Sequence, residues 1–387
     1  MKTFARFITV LAFGTALAES QTPGQIDQGI KTGLIEFVKV HYQSPEDYVI
    51  SKFKDHDVIF LGEWHRIKHD PELVQRLIPL LDSAGIHYLG YEFARRTEQP
   101  LIDSLLQAPT YDEKLARSIL FKNFAFWGYQ EYVDIFRAAW QCNRSSPQGR
   151  PPFRILGLGN SPDWSIIKSP EDLEKREVMA KVWHGETEAD WAKALFDSVI
   201  SKGEKALVYC GIHHAFTEYR QPIVSDGKFI RFGDIRVGNS VYRKIGKRAM
   251  TIYLHAPWVS ADGYDKPPVR AADGYIDAAL NELGPKYNRV GFDLKGTPFG
   301  RLPGETSIYK FGYEHFTLES IYDGYVCQGP LSAYKGVTPI GDFITKENLD
   351  EARAQSPNPR LRELSADDFN KGIAEDADIP RRLAGIK

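Results

Sequence analysis

The sequence predicts an α/β fold: a mostly parallel central sheet flanked by helices, with an irregular α+β elaboration at the C-terminal end. Three observations carry this. Short continuous apolar runs, Val58 to Leu61 and Ala206 to Cys210 among them, close in glycine, as strands covered on both faces do. Helical stripes alternate with these runs, which is the pattern of crossover connections between parallel strands. Beyond Trp258 glycine and proline become frequent, and only short β-like pieces remain among turns.

Taken in order, residues 1–18 stand apart. Lys2 and Arg6 precede or begin an apolar run that ends Ala16-Leu17-Ala18, a small-x-small cleavage pattern, so a signal peptide is expected and with it a secreted or periplasmic protein. The run is shorter than the roughly 20 residues of a membrane span, and no later segment is long and uncharged enough to be one. An N-terminal arm and a helix from about Ile30 to His41 occupy 19–49. The core domain, 50–258, then runs through strands at Val58 to Gly62, Tyr88 to Phe93, Phe153 to Leu158, Ala206 to Gly211 and Ala249 to His255. Between them lie helices after Pro71, whose ring suits a first helical turn, and over about 98–107, 111–121, 130–142 and 239–246. Charged helices are expected over 169–202. In 259–387, packed on the same core, the β-like pieces are 289–294, 307–311 and 324–328, followed by charged helices from about Thr345.

Composition excludes some functions. The 387 residues are 42% hydrophobic and 26% charged, enough for a full core rather than a disordered chain. With 49 basic and 51 acidic residues, a nucleic-acid partner held by phosphate neutralisation is excluded. Loss of Lys2 and Arg6 with the leader leaves 47 basic against the 51 acidic, a net charge of −4. Cys142, Cys210 and Cys327 are an odd number for an oxidising compartment. They allow one bridge at most, with Cys142–Cys327 the pair considered, or three buried small hydrophobes.

Ligands of a parallel sheet bind beyond the carboxyl ends of its strands, so the polar residues there matter most. Gly62-Glu63-Trp64-His65 follows the first strand, and His69 would share a face with His65 were the backbone already helical. Glu92 ends the second strand, followed by Arg95 and Arg96, and Gly211-Ile212-His213-His214 ends the fourth. Each has a plain alternative. A histidine after a strand serves as a hydrogen-bonded loop residue, Glu63 could cap the next helix, and an arginine could neutralise Glu92. An unpaired buried carboxylate costs on the order of several kcal/mol, so Glu92 requires some partner. Two strands closing in Gly-x-x-His and a third in glutamate outweigh those alternatives taken singly. Imidazole supplies a base or a metal ligand near neutral pH, and a carboxylate can hold it in one tautomer.

These residues resemble the Tiki/ChaN/erythromycin-esterase superfamily, marked by two Gly-x-x-His turns and a glutamate at strand ends. The ChaN-like likeness runs through Val58 to His65, His69, the Glu92 strand, the Gln99-Pro100 helix start and Phe153 to Leu158. Ala206 to His255, with Gly238 and Gly246, is similar to the esterase pattern. The first turn has one residue fewer than the esterase Gly-Glu-x-x-His, which places it nearer the Tiki and ChaN spacing. By position, the resemblance implies Glu63, His65, Glu92 and His214 as the catalytic set, with His65, Glu92 and His214 as ligands of a divalent metal (Mn, Co or Zn). His69, His213 and Arg95 would assist in binding a cofactor.

Tiki-like members are metal-dependent proteases, esterase-like members open lactones, and ChaN binds haem. The expectation is therefore hydrolysis of an ester, lactone or peptide by a His/Glu site. The alternative is haem binding without catalysis, for which 19 tyrosines and 7 tryptophans could line a flat pocket as readily as they fill an ordinary core. A third possibility is an interaction module with a vestigial histidine cluster. The mixed His and Glu set favours hydrolysis over a porphyrin pocket; the oligomeric state is left open.

Overall fold

The computed structural model describes residues 26–147 and 149–386, so the leader expected at 1–18 lies outside the described residues. The first helix, Gln28–His41, starts where the Asp27 carboxylate accepts the Ile30 N–H at 2.9 Å. A second, Pro45–Lys52, opens on Ser44, whose hydroxyl accepts from Asp47, with proline in the first turn.

Seven strands form the main sheet in the order β3-β2-β4-β1-β7-β9-β8. They are β1 (Val58–Glu63), β2 (Tyr88–Arg95), β3 (Arg154–Gly159), β4 (Ala206–Gly211), β7 (Ala249–Leu254), β8 (Val290–Asp293) and β9 (Gly324–Cys327). All neighbours are parallel except β8 and β9. The remaining two, β5 (Pro222–Ser225) and β6 (Lys228–Phe232), make a separate antiparallel hairpin.

Because side chains alternate across a strand, each central strand feeds two cores. Phe60, Val208 and Cys210 pack on one side with helices Glu188–Ser198 and Val237–Ile245. Ile59, Leu61 and Tyr209 pack on the other with helices His69–Ser83 and Gln130–Ser145. The connection leaving β1 leads over one face toward β2, whereas that leaving β4 leads over the other toward β7. Adjacent strands whose connections depart oppositely leave a crevice at their carboxyl ends, between β1 and β4.

One expectation is corrected. Residues 307–311 are not a strand: Ser307 accepts the Tyr309 N–H and turns the chain into the 3-10 helix Ile308–Lys310. The charged helices expected over 169–202 are the 3-10 helices Pro170–Glu174 and Ile200–Lys202 and the α-helices Arg176–Val182 and Glu188–Ser198. Cys142 and Cys327 are unbridged and lie in cores on opposite sides of the sheet; all three cysteines are free and buried.

Candidate functional site

β1 ends in Glu63, whose side chain is fully buried. Its Oε1 accepts the Tyr132 hydroxyl at 2.6 Å and faces His65 Nδ1 at 2.7 Å, while Oε2 accepts the Tyr209 hydroxyl. Burial and the charge of Glu63 push both phenols well above their usual range, so they remain donors. Glu63 therefore caps no helix; it anchors an imidazole. With the carboxylate at Nδ1, the proton belongs on that nitrogen and Nε2 keeps a free lone pair. The edges of Trp127, at 5.0 Å between centroids, and Phe93, at 5.7 Å, fix the ring, and about a third of the side chain (35%) stays exposed.

Glu92 lies where β2 stops pairing with β4. The last matched residues are Tyr91 and Tyr209, and the register with β3 shifts after Tyr91. The Gly211 N–H is therefore available, and it donates to Glu92 Oε2 at 2.6 Å. This satisfies the partly buried acid without arginine: Arg96 instead pairs with Glu186 at 2.6 Å. The His65 ring packs on Gly211: a Cβ there would sit 2.9 Å from His65 Nε2 and 3.6 Å from Glu92 Oε2, so the ring takes the place of the missing side chain and only glycine fits.

β4 runs into the short helical turn Ile212–Ala215, which carries His214. Its Nε2 is 3.5 Å from Glu92 Oε1, and its Nδ1 is 3.0 Å from Glu188 Oε2. The second contact lies off the N–H direction, so it acts by charge rather than as a linear hydrogen bond. Burial works against a charged ring, yet the carboxylates of Glu92 and Glu188 raise the His214 pKa above its usual value. Glu188 is itself held down to about 2, against the effect of burial, by His214 and Arg236. The site thus consists of two carboxylate–imidazole pairs, Glu63–His65 and Glu188–His214, on either side of Glu92.

Of the other three expected residues, the two histidines have other partners. Arg66 has a φ of +75°, which breaks the backbone between His65 and His69 and lets helix His69–Ser83 begin only at His69. His69 then packs on Tyr334 at 4.4 Å, beside Asp70. His213 turns the opposite way from its neighbour, with Nε2 2.8 Å from the Tyr309 hydroxyl. Burial lowers both histidines to about 3, so they are neutral. Arg95 makes no ion pair with Glu92, and its Nε is buried without a partner. Sequence reasoning missed Glu188, Arg236, Tyr132 and Tyr209. The tyrosines sit within apolar runs and read as core, and Glu188 sits in a charged stretch that reads as a solvated face.

The structure lends the expected divalent metal no support. Among the described residues no three His, Cys, Asp or Glu side chains are placed to hold an ion. Glu63 is spent on two phenols and His65, Glu92 Oε2 on Gly211, and His214 Nδ1 on Glu188. For haem, His65 Nε2 is the group that would hold the iron, beside the apolar edges of Trp127 and Phe93. Surface clefts near Cys142 and near Lys205 share no residue with this site. Among the described residues no helix is long and apolar enough to cross a membrane.

Residues 49–145 match the family model described as "Haem-binding uptake, Tiki superfamily, ChaN". The resemblance read from the sequence holds over that segment, which contains Glu63, His65 and Glu92. No curated protein matches the chain. Among solved structures, ChaN of Campylobacter jejuni, reported with cofacial haem, is 16% identical over 56% of this chain and 88% of that one, at a TM-score of 0.34. A Bacillus cereus protein is 12% identical over 76% and 96%, at 0.47. The erythromycin esterase EreC in its open conformation is 11% identical over 77% and 95%, at 0.44.

Proposed function

We propose that this chain, which carries a ChaN/Tiki-type segment, is an exported hydrolase of esters or lactones that works by general-base catalysis at His65. The observation that carries this is the Glu63–His65 pair: a buried carboxylate on Nδ1 of a partly exposed imidazole whose Nε2 edge packs on the bare Cα of Gly211. His65 Nε2 takes a proton from water as its oxygen attacks the carbonyl carbon, and Glu63 stabilises the imidazolium that forms. The tetrahedral intermediate collapses as the C–O bond to the leaving alcohol breaks, and that oxygen receives the proton, giving acid and alcohol. His214, whose pKa Glu92 and Glu188 raise against the effect of burial, offers positive charge where the oxyanion develops when its ring is protonated. Nothing in this scheme needs the divalent metal of the sequence expectation.

The test is an ester, lactone and peptide panel assayed with metal-stripped protein, with and without added manganese, cobalt or zinc, beside His65→Ala. Activity in the stripped protein that disappears in the variant supports the proposal. Equal activity in the two proteins ends it.

Haem binding is the second reading, favoured by the family match over 49–145. There His65 Nε2 would hold the haem iron. Titration with hemin decides it: a saturable Soret shift at micromolar protein that His65→Ala abolishes supports haem, and no shift removes it.

A further inference from the structure

We infer that Glu188 is a positioning residue that fixes the His214 ring for the proposed hydrolysis, doing for the second imidazole what Glu63 does for the first. Glu188 is the first residue of helix Glu188–Ser198, 26 positions before His214 in sequence and outside the matched family segment. Three groups meet its carboxylate. Arg236 donates to Oε1 at 2.6 Å, the Val237 N–H donates to Oε2 at 2.9 Å, and His214 Nδ1 lies 3.0 Å from Oε2. The Arg236 guanidinium and the backbone N–H of the next residue thus fix the carboxylate before it meets the imidazole, which a mobile surface pair would not provide.

The same helix restrains the ring a second time. Trp191, one turn beyond Glu188, lays its indole against His214 with centroids 4.9 Å apart and planes 30° apart. Trp191 is held in turn by its Nε1–H, which donates to Asn160 at 2.8 Å. One helical turn therefore supplies the carboxylate at the ring edge and the surface beneath the ring face. With Nδ1 beside the Glu188 carboxylate, Nε2 is left to face Glu92 Oε1. Partners of this kind set the tautomer and orientation of functional histidines, and their loss typically costs about 10- to 100-fold.

The inference rests on the hydrolase reading for its kinetic consequence but not for its structural one, so the experiment has two arms. In the first, kcat and KM on the best ester of the panel are compared for wild type and Glu188→Gln. The expected result is a kcat about 10- to 100-fold lower with KM within about twofold; an unchanged kcat overturns the inference. In the second, histidine-selective 15N labelling of the full chain reads the ring nitrogens of His214, assigned with His214→Gln. Wild type should show Nδ1 protonated, and Glu188→Gln should move the His214 signals while leaving those of His65 in place. A His214 that carries its only ring proton on Nε2 in wild type overturns the inference even if the Glu188 variant fails to fold. An absence of His65-dependent hydrolysis in wild type would remove the hydrolase reading alone, and the second arm would still decide the role of Glu188.

Discussion

Glu92 Oε2 accepts the backbone N–H of Gly211 at 2.6 Å, so the acid near the end of one strand closes the end of its neighbour. This contact answers how a carboxylate persists inside an aromatic strand: β2 and β4 separate after Tyr91 and Tyr209, and the amide freed there becomes its donor. It also ties the two histidine turns together. Gly211 lies against His65 on one side and leads into His214 on the other.

Gly211→Ala is expected to impair activity far more than stability. The new methyl would lie 2.7 Å from His65 Cε1, and the ring is the part able to move. A displacement of about 1 Å at a reacting group can cost on the order of 100-fold. Steady-state kinetics beside a thermal melt check this; wild-type kcat/KM in the variant would refute the placement of His65.

Tyr209→Phe removes one donor from a carboxylate that has no access to water. The expected loss is about 1–3 kcal/mol of unfolding free energy, since the acceptor is left buried and short of a partner. Urea denaturation at neutral pH measures it. Tyr132→Phe should cost a similar amount and, because the Tyr132 hydroxyl also accepts the Arg66 N–H, should loosen the His65 turn as well.

Stability should fall as pH drops below about 6.5. His69 and His213 are held near 3 by burial, whereas in the unfolded chain they titrate near the ordinary value of 6.5. Between those limits the unfolded state binds more protons. Their contribution is therefore complete above pH 6.5 and is lost as pH falls toward 3, by up to about 1.4 kcal/mol per pH unit for each histidine. His69 keeps a fifth of its side chain (21%) exposed, so water softens its share. His214 has the opposite sign: its pKa is raised, so its contribution is present below 6.5 and is lost as pH rises through the folded value. Urea midpoints from pH 7 to 5 should fall in wild type and flatten in a His69→Gln, His213→Gln double variant. Equal slopes in the two proteins would contradict the burial argument.

Gly336→Ala should destabilise the C-terminal helices and the site together. The segment around Gly336 backs the His65 turn: Lys68 N–H donates to the Lys335 carbonyl at 3.0 Å and Val337 N–H to the Arg66 carbonyl at 3.1 Å. A methyl on Gly336 would run into the Ala377 carbonyl, just beyond helix Ala366–Asp376. Overpacking of this kind costs about 1–3 kcal/mol. A thermal melt unchanged from wild type would show that the C-terminal end does not bear on the turn.

The strands of the main sheet were legible because burial on both faces demands unbroken apolar runs, and β1, β2, β3, β4 and β7 all have them. The hairpin β5–β6 was not legible, since its second strand, Lys-Phe-Ile-Arg-Phe, lies largely in solvent and shows no alternation. Helix Tyr275–Leu283 was hidden by Gly274 and Gly284 at its ends, which read as turn composition. At the site, strand ends gave Glu63, His65, Glu92 and His214 because sheet topology determines where strand ends meet. Glu188 was beyond reach: its role depends on a helix crossing from elsewhere in the chain, and no local pattern separates it from Glu186 or Asp190. His69 was misplaced because nothing in Trp64-His65-Arg66-Ile67 announces the left-handed backbone at Arg66.

The central claim is that His65 acts as a base held by Glu63. It is tested most directly by kcat/KM of metal-stripped wild type against His65→Ala on the best ester or lactone substrate. A loss of about 100-fold or more, the usual contribution of a positioned general base, is the expected result; equal values in the two proteins would contradict it.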